Sequence, residues 1–413
     1  MLNELFPRRS RRFLALPLLG PVADDFDTWL SAHGYRRSTR RLQARDLIRI
    51  DRDLRRHGVA PGGPWKQVAL DACWERYRHR DPNTAGTIRA LRRFLQARAS
   101  LVLRPPAVTR VGTLAKSYGV ALEELRGLAP VTVRQHITTA AQFLTHLDYE
   151  LRPERLAALS ASDVEAFVRG AGAHQSRASL QHTVAQLRGF LRFLTSHGVL
   201  RPGVEPQIDT PRVYREEQVP RSLPWPTVRR LLASIDRRTP QGLRDYTMLF
   251  LIATYGLRAC EVVALTVDAI DWRAQRLLVP QRKTRTPLVL PLTDAAGTVL
   301  LRYLRRARPA SAYREVFLRQ RAPAGVLKPT AVTEVFQLAV RRSGLPIPFH
   351  GPHCLRHSYA VSLLRRGVGL KMLGDLLGHR TADSTRAYLR LATDDLREVA
   401  LVAPLAPLAR RRA

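Results

Sequence analysis

Several short segments in the C-terminal part of this sequence hold residue types that phosphoryl transfer requires: permanent cations to neutralise phosphate charge, groups that move protons, and a nucleophile to attack in line. In Thr254-Tyr-Gly-Leu-Arg258-Ala-Cys-Glu261 the glycine ends one helix and sets Arg258 at the beginning of the next, with Glu261 one turn on to brace its guanidinium. In His353-Cys-Leu-Arg356-His357-Ser358, His353 and Arg356 are three apart and share a helical face. A planar charged fork beside an imidazole donor suits two non-bridging phosphate oxygens. In Leu376-Leu-Gly378-His379 a glycine stops a helix and leaves His379 in the turn. Tyr388 follows on the next helix, after the start signals Asp383 and Ser384.

Lys283 stands apart by its type. The chain has 63 arginines and five lysines, so a lysine inside Arg282-Lys283-Thr284-Arg285 suggests a chemical need rather than bare charge. An ammonium whose pKa neighbouring guanidinium groups lower can give up a proton, which arginine cannot, and that suits a general acid protonating a leaving deoxyribose oxygen. Each piece alone is commonplace in helical proteins. Their joint occurrence in this order, inside one basic domain, is not.

The elements that must position these groups follow from periodicity and punctuation. Residues 201–224 carry prolines at 202, 206, 211, 220 and 224 without helical periodicity and read as an extended interdomain linker. Helices are predicted over 227–235 and 243–255, with a shorter one over 258–265. Two apolar runs, 276–279 and 287–292, flank the polar turn 281–286 and signal a hairpin that places Lys283 at its tip. The pattern is then helical to about residue 396, and the tail from Ala403 is expected to be unstructured alone.

Upstream, two helical segments, 24–100 and 130–200, look like distant copies. Each opens with an amphipathic helix (38–58; 131–147) and closes with another, Thr87-Ile-Arg-Ala-Leu-Arg-Arg-Phe-Leu and Val184-Ala-Gln-Leu-Arg-Gly-Phe-Leu. Duplication and the general likeness of helical hairpins both account for this. Between them, Ala115, Gly119 and Leu125 stand at helix-turn-helix offsets, although a single connecting helix is the plainer reading. The run from Phe13 to Ala23 behind Arg8-Arg9-Ser10-Arg11-Arg12 imitates a signal peptide. Pro17, Gly20 and Pro21 break it, which favours a basic, DNA-touching or disordered N-terminus.

Composition sets the partner class. The 413 residues, 45% of them hydrophobic, supply two or three cores, and 68 Lys and Arg against 34 Asp and Glu leave a charge of +34 that a polyanion would relieve. Nucleic acid is the leading partner. Three isolated cysteines (Cys73, Cys260, Cys354) form neither a disulfide framework nor a zinc cluster and suit a reducing cytoplasm. No stretch reads as a membrane span.

Gly256-Leu257-Arg258-x-x-Glu261, the hairpin Lys283, His353-x-Leu355-Arg356-His357-Ser358, Leu377-Gly378-His379 and Tyr388 together resemble the catalytic signature of the tyrosine recombinase (phage integrase) family over about residues 223–396. The resemblance implies a mainly α catalytic domain with a small antiparallel β-sheet, preceded by helical DNA-binding domains. The expected division is 1–110, a helical N-terminal domain; 111–202, a helical core-binding (SAM-like) domain; 203–222, linker; 223–396, catalytic domain; and 397–413, tail.

It implies further that Tyr388 attacks a DNA phosphodiester to leave a 3′-phosphotyrosyl enzyme. Arg258 and Arg356 would hold the non-bridging oxygens, His353 and His379 would assist, and Lys283 would protonate the leaving oxygen. No metal or cofactor is expected; the constellation lacks a carboxylate cluster for Mg²⁺ and the chain lacks a phosphate-binding glycine loop. The implied partners are double-stranded DNA and three further copies of the chain on synapsed sites, with accessory proteins left open, no membrane, and a cytoplasmic, nucleoid-associated location. A type IB topoisomerase or hairpin-forming resolvase shares the chemistry, and a catalytically dead DNA-binding factor is the reading from another class. The apolar segment from Leu391 is expected to dock into a neighbouring protomer or onto its own domain.

Overall fold

The computed structural model describes residues 1–105, 107–210, 221–281, 287–378, 385 and 388. The chain divides into two compact units, one of Met1–Leu103 with Val219–Ala413 and the other of Arg104–Gln218.

The first unit begins with α1 (Leu2–Leu5), α2 (Arg11–Leu14), α3 (Gly20–Ala32), α4 (Arg37–Arg56), α5 (Gln67–Tyr77) and α6 (Pro82–Ala97). The signal-like run at 13–23 is neither free nor extended: Phe13, Leu18, Leu19 and Ala23 are buried in one core with Leu47, Ile50 and Phe94. Its backbone is fixed by Asp51, a fully buried carboxylate whose Oδ1 accepts from the N–H groups of Leu18 and Leu19, each at 2.9 Å. Arg55 neutralises the other oxygen at 2.9 Å, which makes the burial of that charge tolerable. Asp81 caps α6, with Pro82 at its first position, and a parallel two-residue pairing of β1 (Trp65–Lys66) with β2 (Leu101–Val102) closes the layer.

The second unit holds α7 (Arg110–Arg126), α8 (Pro130–His146), α9 (Glu154–Ala157), α10 (Ala161–Gly172) and α11 (Arg177–Ser196). The plainer of the two readings holds, because α7 is a single helix that runs unbroken through Gly119. The glycine serves close packing instead, since a Cβ there would lie 2.5 Å from Ile137 Cδ1 on α8.

The two helical segments share one plan. The packed pairs α3–α4, α4–α6 and α5–α6 have counterparts in α7–α8, α8–α11 and α10–α11. Their buried positions correspond in register: Ala23, Phe26, Asp27 and Leu30 with Ala115, Tyr118, Gly119 and Leu122; Leu47, Ile50 and Leu54 with Ala140, Phe143 and Leu147. Leu70 and Cys73 correspond with Val164 and Phe167, and Thr87, Ile88, Leu91, Phe94 and Leu95 with Thr183, Val184, Leu187, Phe190 and Leu191. Helical hairpins that merely look alike share apolar period, not register across four helices.

Downstream, the first unit resumes with α12 (Trp225–Ala233), α13 (Pro240–Tyr255) and α14 (Ala259–Ala264), then an antiparallel sheet of order β3-β4-β5 made of Ile270–Asp271, Arg276–Val279 and Leu288–Pro291. Helices α15 (Asp294–Arg306), α16 (Pro329–Ser343), α17 (His353–Leu364) and α18 (Leu370–Leu377) complete it. The expected hairpin is β4 with β5, registered Val279 to Leu288; its turn, 282–286, lies outside the described residues. One expectation needs correction. Residues 307–328 are not helical, because Pro309, Pro323 and Gly325 interrupt any helix there. The apolar faces of α13, β4, α15 and α16 bury Leu249, Ile252, Leu277, Leu300 and Phe336 in the main core.

Candidate active site

Arg356 is the centre of the site and is 3% exposed. Its guanidinium is held by the ends of two helices: Nη1 donates to Gly256 O at 2.6 Å and Nη2 to Leu377 O at 2.8 Å. These carbonyls close α13 and α18, where the last turn leaves acceptors unpaired and the helix dipole is negative, so a buried cation finds partners there. Both helices must stop for this to happen, and Gly256 and Gly378, at φ of 66° and 61°, stop them. At Gly256 a Cβ would also lie 2.7 Å from Leu377 Cδ2 and 2.8 Å from Tyr359 Cδ1.

Arg258 occupies the N-cap of α14. Its backbone N–H donates to Glu261 Oε2 at 2.7 Å and its Nη1 to Oε1 at 2.6 Å. Glu261 is buried while the arginine side chain keeps 31% of its surface open, so the carboxylate holds one edge of the guanidinium and leaves the other toward solvent. Ser358 fixes the frame, accepting from Leu223 N at 2.7 Å and donating to Cys354 O at 2.8 Å, which ties the start of the domain to α17.

Tyr388 is 3% exposed, and its hydroxyl lies 3.1 Å from His357 Nδ1, with ring centroids 5.4 Å apart. Burial raises the phenol above its ordinary range, while the charge of Arg356, a hydrogen bond with it, and the charge of Arg258 pull the other way. His357 is pushed down to about 4, chiefly by burial and then by His353 and Arg356, so near neutral pH it is an uncharged imidazole. His353 stands one turn away with its ring edge-on to His357 at 5.4 Å. Burial of its ring, with the charges of Arg356 and Arg258, holds it below its usual range although the residue keeps an open side.

A consequence for stability follows from His357. The unfolded chain takes up a proton there near pH 6.5 and the folded chain only near 4, so this group's stabilisation is present above 6.5 and is lost as pH falls toward 4. Denaturant midpoints of His357→Gln are expected to fall less steeply than those of the parent between those pH values. Parallel curves would mean that His357 does not titrate in this way.

Among the six residues singled out by sequence, Arg258, His353, Arg356 and Tyr388 share this one site. Lys283 and His379 lie outside the described residues, as do Asp383, Ser384 and the segment from Leu391. Their flanks are described, and they meet: a Cβ at Gly378 would run into the side chain of Gln281. The sequence reading gave His357 no role, since a residue beside Arg356 need not face the tyrosine, and no spacing signals that it does. Among the described residues no cluster of three His, Cys, Asp or Glu is placed to hold a metal, and no helix is long and apolar enough to cross a membrane.

Comparison with known proteins adds the family context. A family model described as the phage integrase family matches residues 222–394, and one described as the phage integrase N-terminal SAM-like domain matches 115–198. The candidate integrase/recombinase y4rA of Sinorhizobium fredii is 31% identical over 403 residues, which cover 95% of this chain and 97% of the relative. The tyrosine recombinase XerD of Listeria monocytogenes is 30% identical over 280 residues, 66% of this chain and 92% of that protein. Among solved structures, a lambda integrase tetramer bound to a Holliday junction is similar with a TM-score of 0.52 at 18% identity, over 74% of this chain and 89% of that one.

Proposed function

The chain belongs to the phage integrase family, the tyrosine recombinases that cut and rejoin DNA at specific sites, and from that premise we propose that Tyr388 is its nucleophile and duplex DNA its substrate. The observation that carries this is the hydroxyl of Tyr388 placed beside a neutral imidazole acceptor and under two guanidinium groups. In the proposed step, Tyr388 Oη attacks phosphorus, the bond to the 5′ oxygen breaks, and a 3′-phosphotyrosyl ester forms. Arg356 and the open edge of Arg258 take the two non-bridging oxygens, with charge already arranged where it grows in the transition state. His357 accepts the phenolic proton, His353 and His379 donate hydrogen bonds to the phosphate, and Lys283 protonates the departing 5′ oxygen. The contact between Gln281 and Gly378 supports the last two roles, because Lys283 and His379 lie within two residues of it. Reversal by a 5′-hydroxyl of another strand completes recombination without an external energy source, and four copies on two synapsed sites allow the exchange.

The test is a suicide duplex nicked beside a candidate site, together with a supercoiled plasmid. A covalent protein–DNA band is expected on the first and strand exchange between two sites on the second. Relaxation without exchange would assign a topoisomerase, and neither product would leave a DNA-binding factor. Lys283→Arg keeps the charge and loses the transferable proton, so cleavage should slow by about 10²-fold or more. Replacing the 5′ bridging oxygen by sulfur, which leaves without a proton, should restore it. Failure to recover would reduce Lys283 to a phosphate contact.

A further inference from the structure

The family's SAM-like model accounts for residues 115–198, yet residues 20–97 repeat the same four-helix plan and carry far more charge. Residues 1–103 hold 21 Lys and Arg against 10 Asp and Glu, a net +11, whereas residues 104–210 hold 12 against 9, a net +3. That excess is not spread evenly. Arg41, Arg45, Arg52 and Arg56 are exposed on α4 within an arc of about 60°, directly opposite its buried face, and run for about 22 Å along the helix. None of the four forms an ion pair among the described residues, while other arginines of this unit are spent on carboxylates: Arg55 on Asp51, Arg76 on Asp53, Arg92 on Asp71.

The stripe continues into the basic run at the N-terminus, for Arg41 and Arg12 stand over the same Phe6 ring at 5.2 and 5.8 Å. The register equivalents of the four are Arg134, Thr138 and Thr145 on α8 and Tyr149 just beyond its end, so three of the four charges belong to this copy and not to the shared fold. No aromatic residue lies on α4 to stack on unpaired bases, which separates this face from single-strand platforms.

We propose that the α4 face and the adjoining arginine run form a second DNA-binding surface. It grips the phosphate backbone of duplex DNA independently of base sequence and adds to the contacts of the SAM-like and catalytic regions. This rests on the reading of the chain as a DNA recombinase. Each cation that neutralises a phosphate releases a counterion, so the salt dependence of binding counts such contacts.

The experiment uses the full chain and a labelled duplex of about 60 base pairs with arbitrary sequence, titrated between about 50 and 200 mM salt. R45Q/R52Q/R56Q is compared with the charge-matched R78Q/R92Q/R98Q, whose arginines pair with Glu75, Asp71 and Asp25. The first should lower the slope of log K against log salt by about 2 to 3, and the second by less than about 1. Arg52→Gln alone, a single exposed change, should lower it by about 0.9 and serves if the triple variant unfolds on melting. Equal slopes for the two triples would overturn the proposal. The covalent-adduct assay is read on the same proteins. Retained adduct with an unchanged slope sinks this surface alone, whereas a slope lowered in R45Q/R52Q/R56Q relative to a parent chain that itself forms no adduct sinks the proposed chemistry alone.

Discussion

Tyr388→Phe is expected to form no covalent adduct with a suicide duplex, a loss of about 10⁴-fold or more in cleavage, while its DNA affinity stays within about twofold of the parent. The size of the first effect follows from the role: phenylalanine has no atom to bond to phosphorus, and the acceptor at His357 Nδ1 then has no proton to take. The smallness of the second follows from the charge. Binding by a chain of net charge +34 is dominated by phosphate contacts, to which one neutral hydroxyl adds little. Removing that hydroxyl also releases Arg356 and His357 from a buried hydrogen bond, so folding stability should change by only about 1 kcal/mol. A band of parental intensity from this variant would move the nucleophile elsewhere. A large loss of affinity would mean that the tyrosine shapes the DNA-binding surface itself.

Much of this site was legible in the sequence because its signals are local. Glycine after an apolar helix, an N-cap followed by an acid, and three-residue spacing on one face each encode a backbone event, and α13, α14 and α17 stand where those signals fall, within two or three residues at their starts. The same locality leaves other demands unreadable. Gly119 carries the residue pattern of a tight turn, but the need for a glycine comes from Ile137 on another helix, and composition alone does not distinguish the two demands. The run at 13–23 looks like an export signal because it is apolar behind arginines; what keeps it in the core is Asp51, 32 and 33 residues away. His357 shows the limit most directly. Its neighbour in sequence, Arg356, looks toward two helix ends while His357 looks toward Tyr388, 31 residues on, and no periodicity carries that information.

Arg356→Lys is expected to cut cleavage by about 10²- to 10³-fold and also to lower stability, by about 1 to 3 kcal/mol. The two losses share a cause. Two separate nitrogens of the guanidinium bond the carbonyls of Gly256 and Leu377 while the group also meets Tyr388; a single ammonium at the end of a flexible stem cannot keep that geometry. One helix-end carbonyl is then buried without a donor, and the charge no longer lies where the phosphate oxygens are to be held. The two effects separate by measurement. Thermal unfolding without DNA reads the carbonyl contacts, and single-turnover cleavage at saturating DNA, well below the melting temperature, reads the phosphate contact. If stability falls and cleavage at saturation does not, Arg356 is a strut between α13 and α18, and the phosphate clamp passes to Arg258, whose guanidinium keeps an open edge. If both fall, the same side chain fixes the two helix ends and holds the phosphate, so the geometry that buries Arg356 is also the geometry that prepares it for the transition state.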